Sequence, residues 1–517
     1  MIAFISNALH GFATGYPTST ILFAILIGLV LQYYIRINLK PDPTLPPVVP
    51  YFFPFFGSMV TYGMNPVQFL KDNQKIYGDN FTFLMFGRRI THCLGPDGNH
   101  LVLNAKHTSV NAEDAYRGLT KPVFGPGVVY DCPNSVLLEQ KRMIKYGLTT
   151  EYLKTYVTLI EQETIEHLAK WGKEGKVCIF KQMGGLIIKT ASRCLLGEEV
   201  RSQLDESFAE IYENLDRGFT PVHFLFDWLP LPSFWRRDAS HLEARNFFLN
   251  VIKNRRASNI KKEDMLQALM SAKYKNGDEL EDEKIACILI ALLMAGQHTS
   301  STTSTWAFLY LAQNPSLIDA LREEQVRVLG ANLPPLTLES LKKLDLLDSV
   351  VRETLRIKPP LLEIMRMVTK PVPIPGTTYA VPPGHYIAAA PVVSAMDEAY
   401  FPNPEKFDPY RWTTADKGDD VLADESTKSK EDPSSFVDYG FGSVSTTSAR
   451  SPYLPFGGGR HRCIGDAFAY IQLKTIIATF VRNFDIQLDP KVGLPDSDFT
   501  NLVAIPVLPA TIHYKRR

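Results

Sequence analysis

The six cysteines of this chain, Cys93, Cys132, Cys178, Cys194, Cys287 and Cys463, include no CxxC pair and lie far apart along 517 residues. This excludes a secreted disulfide scaffold and a structural zinc site, and it suits a reducing compartment. Net charge is missing too, because 55 Lys and Arg balance 55 Asp and Glu. With no long basic run interleaved with aromatics, the sequence argues against a nucleic-acid partner. There is no Gly-rich dinucleotide fingerprint and no P-loop, so a redox enzyme built from this chain must take its electrons from elsewhere. No repeat of fixed period and no Gly/Ser linker divides the chain, which predicts one large domain. What is present is apolar residue, 45% of the total, enough for a large core without covalent staples.

The first thirty-five residues lack Lys, Arg, Asp and Glu altogether. Within them "TSTILFAILIGLVLQYYI" (18–35) is long enough to cross a bilayer, which takes roughly 20 residues. A signal peptide would need a positively charged start and a small-residue cleavage site, and neither is found. Residues 1–39 are therefore expected to form a single-pass transmembrane anchor. Arg36 and Lys40 follow it, Tyr33 and Tyr34 suit the interface, and the positive-inside rule leaves the rest of the chain cytosolic. "KPDPTLPPVVP" (40–50) reads as a semi-rigid extended linker, with the globular body over 51–517.

Helical periodicity dominates that body. It predicts helices over 155–171, 283–313, 317–330 and 338–357. Short β-like runs at 80–86 and 377–393 predict small sheets at the side, and the polar stretch 413–451 reads as an exposed loop. The fold class expected is mainly α with small β-sheets.

Near the end stands "FGGGRHRCIG" (456–465). Gly457, Gly458 and Gly459 allow positive φ and let the backbone pass close under a flat ligand. The apolar run 467–484 predicts a helix, which sets the Cys463 thiol at a helix N-terminus where the thiolate is favoured. A thiolate is a strong iron ligand. His461 and Arg462 can pair with carboxylates of the same ligand, and Phe456 can shield the sulfur. A lone cysteine near a helix start is ordinarily an inert packed thiol; the surrounding loop is what distinguishes this one.

The loop resembles F-x-x-G-x-[RH]-x-C-x-G, the haem-binding signature of the cytochrome P-450 family, at Phe456, Gly459, His461, Cys463 and Gly465. Three further stretches carry the resemblance. Glu353 and Arg356 in "VRETLR" fit the family's E-x-x-R, and Arg411 in "FDPYRW" completes a structural network with them. "MAGQHTSS" (294–301) resembles the distal oxygen groove, with Thr299 on its threonine and Gly296 in the break; its plainer reading is a bent core helix with Ser and Thr bonded to their own carbonyls.

Within the family, His298 in place of the usual acid, "YRGLTKPVFGPGVVYDCP" (116–133) and "FTPVHFLFDWLPLPSFWRRD" (219–238) resemble the sterol 14-alpha demethylases, most of all the duplicated forms of filamentous fungi. The resemblance implies a cytochrome P-450 fold behind the anchor, haem b ligated by Cys463, and an endoplasmic reticulum membrane. Tyr116, Tyr130, Lys141, Arg366 and His461 would then meet the haem propionates, each having a plainer alternative as packed tyrosine or solvated cation. Thr299 and His298 would serve oxygen and proton handling, while Phe124, Phe224, Gly296, Leu362 and Met365 would line the substrate pocket.

Electrons would come from an NADPH-cytochrome P-450 reductase docking near Arg142, Lys145, Arg460 and Arg462, and the resemblance admits cytochrome b5. One departure stands out: the demethylases carry a His-Ser pair ahead of Ile-x-Arg, where this chain has Leu362 and Glu363. A carboxylate near an apolar pocket is costly unless paired, protonated or turned outward. Three readings stay open: demethylation of a lanosterol-like or eburicol-like sterol in ergosterol biosynthesis, with azole binding as a corollary; oxidation of another sterol or lipid; and a non-catalytic haem and sterol binder.

Overall fold

A computed structural model describes residues 17–38, 42–51, 53, 55–203, 206–220, 223–224, 226, 229–258, 262–412 and 449–517. The expected loop 413–451 therefore lies outside the described residues except for its last three. Helices carry the architecture. The main ones are α1 (Pro17–Asn38), α2 (Glu113–Phe124), α3 (Asn134–Tyr146), α4 (Thr150–Ala169), α5 (Ile179–Ala191), α6 (Glu206–Asp216), α7 (Pro232–Ser258), α8 (Asp282–Gln313), α9 (Asp345–Ile357) and α10 (Asp466–Asn483).

The main sheet contains β1 (Asn80–Met85), β2 (Arg88–Cys93), β3 (Val110–Asn111), β5 (Ile364–Val368) and β6 (Tyr386–Ala389), in the order β1-β2-β6-β5-β3. Only β2 and β6 run parallel. Phe86 and Gly87, with φ of 50° and 73°, form the two-residue turn that reverses β1 into β2. A smaller antiparallel sheet joins β4 (Glu174–Cys178), β8 (Thr511–Arg516) and β7 (Phe484–Leu488).

The long helix α8 runs through the largest core cluster, packed against α5, α7, α9 and α10. Its apolar content would allow it to cross a membrane, yet it is mostly buried in protein and is a core helix. The polar residues in its second half are buried because they bond their own helix: Ser301, Thr303, Ser304 and Thr305 donate to carbonyls four residues back at 2.6–2.8 Å. The expected helix 338–357 is instead two, Leu338–Lys342 and α9. Leu344 is fully buried with φ −90° and ψ 80°, so core packing overrides the local helical pattern there.

Two segments at the front of the chain refine the expected layout. α1 is a 22-residue helix, about 33 Å long at 1.5 Å per residue, and its apolar side chains from Ile21 to Leu31 are exposed. The Pro-rich stretch is extended but seated: Val49 N–H donates to Thr82 O and Thr82 N–H to Pro47 O at 2.8 Å, while Ala380 N–H reaches Thr44 O at 2.9 Å. Much of the expected linker is thus docked along the edge of β1, because the edge strand leaves the Thr82 N–H and C=O unpaired within the sheet and the extended stretch satisfies both.

Candidate active site

Gly457 and Gly459 take φ of 67° and 62°, whereas Gly458 is extended. A side chain at Gly459 would drive into the Leu103 carbonyl and Asn104, so glycine is required there by both conformation and space. The loop closes through Cys463 N–H to Phe456 O at 3.0 Å, and the N-cap residue of α10, Gly465, donates its N–H to Cys463 Sγ at 3.3 Å. Phe456 packs on Tyr470 at 5.5 Å. The Cys463 side chain is accessible although protein surrounds it, which places the sulfur on the wall of an interior space. Burial pushes its thiol up, with Asp466 adding to this, and outweighs the pull of Gly465 N–H, Lys141 and Arg462. The expected helix-end stabilisation is present but is not the larger effect.

Around this loop gather groups that repel one another. Lys141, on α3, donates to the carbonyls of Arg460 and Arg462 at 3.1 and 2.9 Å, and burial brings its ammonium down to about 8. Burial, then Arg366, Lys141 and Arg460, brings His461 down to about 3. Arg366, almost fully buried on β5, donates to its neighbour's carbonyl, Met365 O, at 2.8 Å. Tyr116 and Tyr130 stack at 5.3 Å, with Tyr130 5.9 Å from the His461 ring; burial raises both hydroxyls, Tyr130 to about 12. Among the described residues none of Lys141, Arg366, Arg460 or His461 hydrogen-bonds a carboxylate. Lys141, Arg366 and Arg460 thus crowd together without a carboxylate, beside an imidazole that burial and their charge keep neutral, and next to an accessible, enclosed thiol this set calls for anions such as the two propionates of a haem.

Ala295, Gly296, His298 and Thr299 share the part of α8 that is not fully buried, although the helix around them is. Nothing lies within reach of a Cβ placed on Gly296. Thr299 Oγ1 donates to Ala295 O at 2.9 Å. His298 Nε2 is paired with Asp216 Oδ1 at the end of α6. Sequence reasoning missed Asp216, since nothing in "ENLDRG" marks one acid from the rest; only the fold brings it to the histidine.

Glu353 and Arg356 are completely buried and bidentate at 2.9 Å. The same carboxylate accepts from Arg411 Nε at 3.0 Å, Trp412 Nε1 at 2.9 Å and Asp408 N–H at 3.0 Å. Arg356 also donates to Ala395 O and Pro404 O. The expected network is therefore assembled, with Trp412 as an added member.

Phe224 lies 6.3 Å from Tyr116 with the Arg88 guanidinium over its ring, and Met365 N–H donates to Tyr116 Oη at 2.8 Å. Phe124 is buried against Phe219 at 5.3 Å. Leu362 packs on the same core cluster as Tyr116 and Met365 and also lines a groove of about 190 Å³ with Trp306, Lys358 and Ser497. Of the cations expected to meet a reductase, Arg142 is exposed, Arg460 donates to Ala105 O at 2.7 Å and Arg462 pairs with Asp466 at 2.6 Å. Lys145 is also engaged.

Comparison with known proteins places this geometry. The sequence pattern of the family described as Cytochrome P450 matches residues 46–514. The chain is 47% identical to "Sterol 14-alpha demethylase CYP51A" of Gibberella zeae, over 92% of this chain and 91% of that one. It is 43% identical to "Sterol 14-alpha demethylase cyp51A" of Aspergillus fumigatus, over 98% of both. A solved structure, "Retinoic acid bound cyanobacterial CYP120A1", superposes with a TM-score of 0.75 at 21% identity, over 92% of this chain and 100% of that one, which shows the shared fold. The chain belongs to the cytochrome P450 family and, within it, to the sterol 14-alpha demethylases.

Proposed function

We propose that this monooxygenase removes the 14-alpha methyl group of a lanosterol-like or eburicol-like sterol by three successive oxidations that release formate. The reaction class comes with the family: a haem held by a cysteine thiolate supplies oxidation with O2 and electrons from a reductase. The observation that carries the assignment to this chain is Cys463, an enclosed yet accessible sulfur beside the set Lys141, Arg366, His461, Tyr116 and Tyr130. In this reading Cys463 would ligate the iron, Phe456 and Gly459 would shape the loop that presents it, and Lys141, Arg366, His461, Tyr116 and Tyr130 would hold the propionates. The Thr299 hydroxyl would position oxygen, and the His298–Asp216 pair would pass protons toward it, supplying the acid that is missing next to Thr299, where His298 stands. Phe124, Phe224, Gly296, Leu362 and Met365 would face the sterol, and Glu353, Arg356 and Arg411 would brace the fold behind the cofactor.

The same reading gives residues 1–39 the role of a single-pass anchor in the endoplasmic reticulum membrane, 40–50 that of a linker and 51–517 that of a cytosolic catalytic body. The exposed apolar stretch of α1 supports it, as does the cluster of Phe53, Phe55 and Phe56 against Phe86 and Phe226, whose first three rings are about half exposed. NADPH-cytochrome P-450 reductase, with cytochrome b5 as a second donor, would meet the cysteine side.

Reconstitution with reductase and mass analysis of the sterol product tests the function. Wild type should yield the 14-demethylated sterol, and C463A should lose both product and the long-wavelength Soret band of the reduced carbon monoxide complex. Haem reduction by wild type without sterol product would overturn the reading in favour of a binder.

A further inference from the structure

The glutamate that replaces the usual serine is not turned outward. Glu363 Oε2 lies 2.6 Å from Nε2 of His92, a fully buried imidazole on β2. That ring stacks on Phe81 and Phe83, with centroids 5.9 and 5.3 Å away and planes within 20°. Its other nitrogen, Nδ1, is buried with no hydrogen-bond partner. A buried N–H without an acceptor costs more than a bare ring lone pair, which assigns the proton to Nε2 and makes Glu363 Oε2 its acceptor. Oε1 then carries the remaining polarity of the carboxyl. It makes no hydrogen bond among the described residues, and 12% of the Glu363 side chain stays accessible although protein encloses the carboxyl. The accessible part faces an interior space.

Its neighbours identify that space. His92 and Met365 both register against Ala388 in the sheet, so Glu363 adjoins the row that carries Met365. Met365 N–H holds Tyr116, and Tyr116 packs on Phe224. A sterol is an apolar ring system with a hydroxyl at one end, so a carboxyl oxygen in this wall has one group on such a substrate to answer it. A serine Oγ sits on Cβ, while the glutamate oxygens reach two bonds further.

We propose that Glu363, oriented by His92, is a specificity-determining residue that hydrogen-bonds the ring hydroxyl of the bound sterol. The assignment rests on the sterol reading above, and its test separates the two. Purified holoprotein is titrated with a 14-alpha-methyl sterol and with the methyl ether of the same sterol, following the spin-state shift of the Soret band, with the reduced carbon monoxide spectrum checking that each variant retains its ligated haem. Wild type should bind the free alcohol about tenfold more tightly, the equivalent of one hydrogen bond. E363L, and H92F/E363L in which His92 is not left orphaned, should bind alcohol and ether alike. E363Q should keep most of the preference because its amide still offers a hydrogen bond. A wild type indifferent to the ether, or an E363L that keeps the full preference, overturns the assignment and leaves the sterol reading standing. Absence of any shift with either sterol in wild type overturns both.

Discussion

Glu353 and Glu363 lie ten positions apart, both enclosed by protein, and they are solved differently. Glu353 accepts five hydrogen bonds, from Arg356 twice, Arg411, Trp412 and the Asp408 amide. Glu363 has a single imidazole. Burial raises Glu363 to about 8, as expected for a carboxyl whose desolvation one neutral donor does not repay. The comparison teaches that the number of donors around a buried carboxylate, more than its depth, decides what it can do. Glu353 has every lone pair committed and is a fixed strut, while Glu363 keeps one oxygen available for a ligand.

The largest way to break this comparison is at the strut. E353A leaves Arg356 and Arg411 buried without their carboxylate, which should cost about 3–5 kcal/mol. The expected outcome is a chain that accumulates without haem, read as loss of the reduced carbon monoxide band in freshly purified protein. E363A removes a carboxyl with one partner and should still yield ligated haem. If the two variants behave alike, donor number is not what distinguishes them.

How much of this was legible beforehand follows the same division. The E-x-x-R pair, Arg411, Cys463 with its loop and the Thr299 turn each sit in short local patterns, so residue type and spacing fix them. Buried strands and helices with a clear period, such as 80–86 and 283–313, were legible for the same reason. The partners of isolated polar residues were not. Asp216 reaches His298 and His92 reaches Glu363 only through the packing of α6 on α8 and the β2-β6-β5 pairing, and no pattern in either sequence stretch points to the other. Leu362 is the intermediate kind: it packs on the same core cluster as Tyr116 and Met365 and also lines a groove with Trp306 and Lys358, a double placement that its position beside a motif does not announce.

Asp216–His298 sharpens the comparison with an intermediate case. Its side chains are 34% and 28% accessible, between the enclosed glutamates and open surface. D216N keeps the size but removes the carboxylate, and if the pair feeds protons toward Thr299 it should lower turnover by roughly 100-fold, the low end for losing a general acid–base group. The sterol binding shift should move less than about twofold. Equal losses in turnover and binding would mean that Asp216 only braces α6 against α8.

The finest discrimination is in how stability responds to pH. A carboxyl raised to about 8 in the folded state binds its proton more tightly there than in the unfolded chain, so its stabilising protonation is fully present below the ordinary glutamate range and is lost as pH rises toward 8. Burial lowers His92 to about 3, and the unfolded imidazole takes up protons that the folded one refuses, so this contribution rises with pH up to about 6.5. The two slopes oppose each other between about pH 4.5 and 6.5 and leave the Glu363 slope alone above that. From pH 6.5 to 8, wild type should therefore lose stability relative to E363Q, on the order of 1–2 kcal/mol, because the glutamine has no proton to give up. The apparent unfolding midpoints of both holoproteins at one scan rate, taken at half-unit steps, give the difference directly, and groups common to both chains, Lys141 among them, cancel. A difference that stays flat over that window would mean Glu363 is already ionised and as fully solvated by its surroundings as Glu353, and the contrast between the two glutamates would be lost.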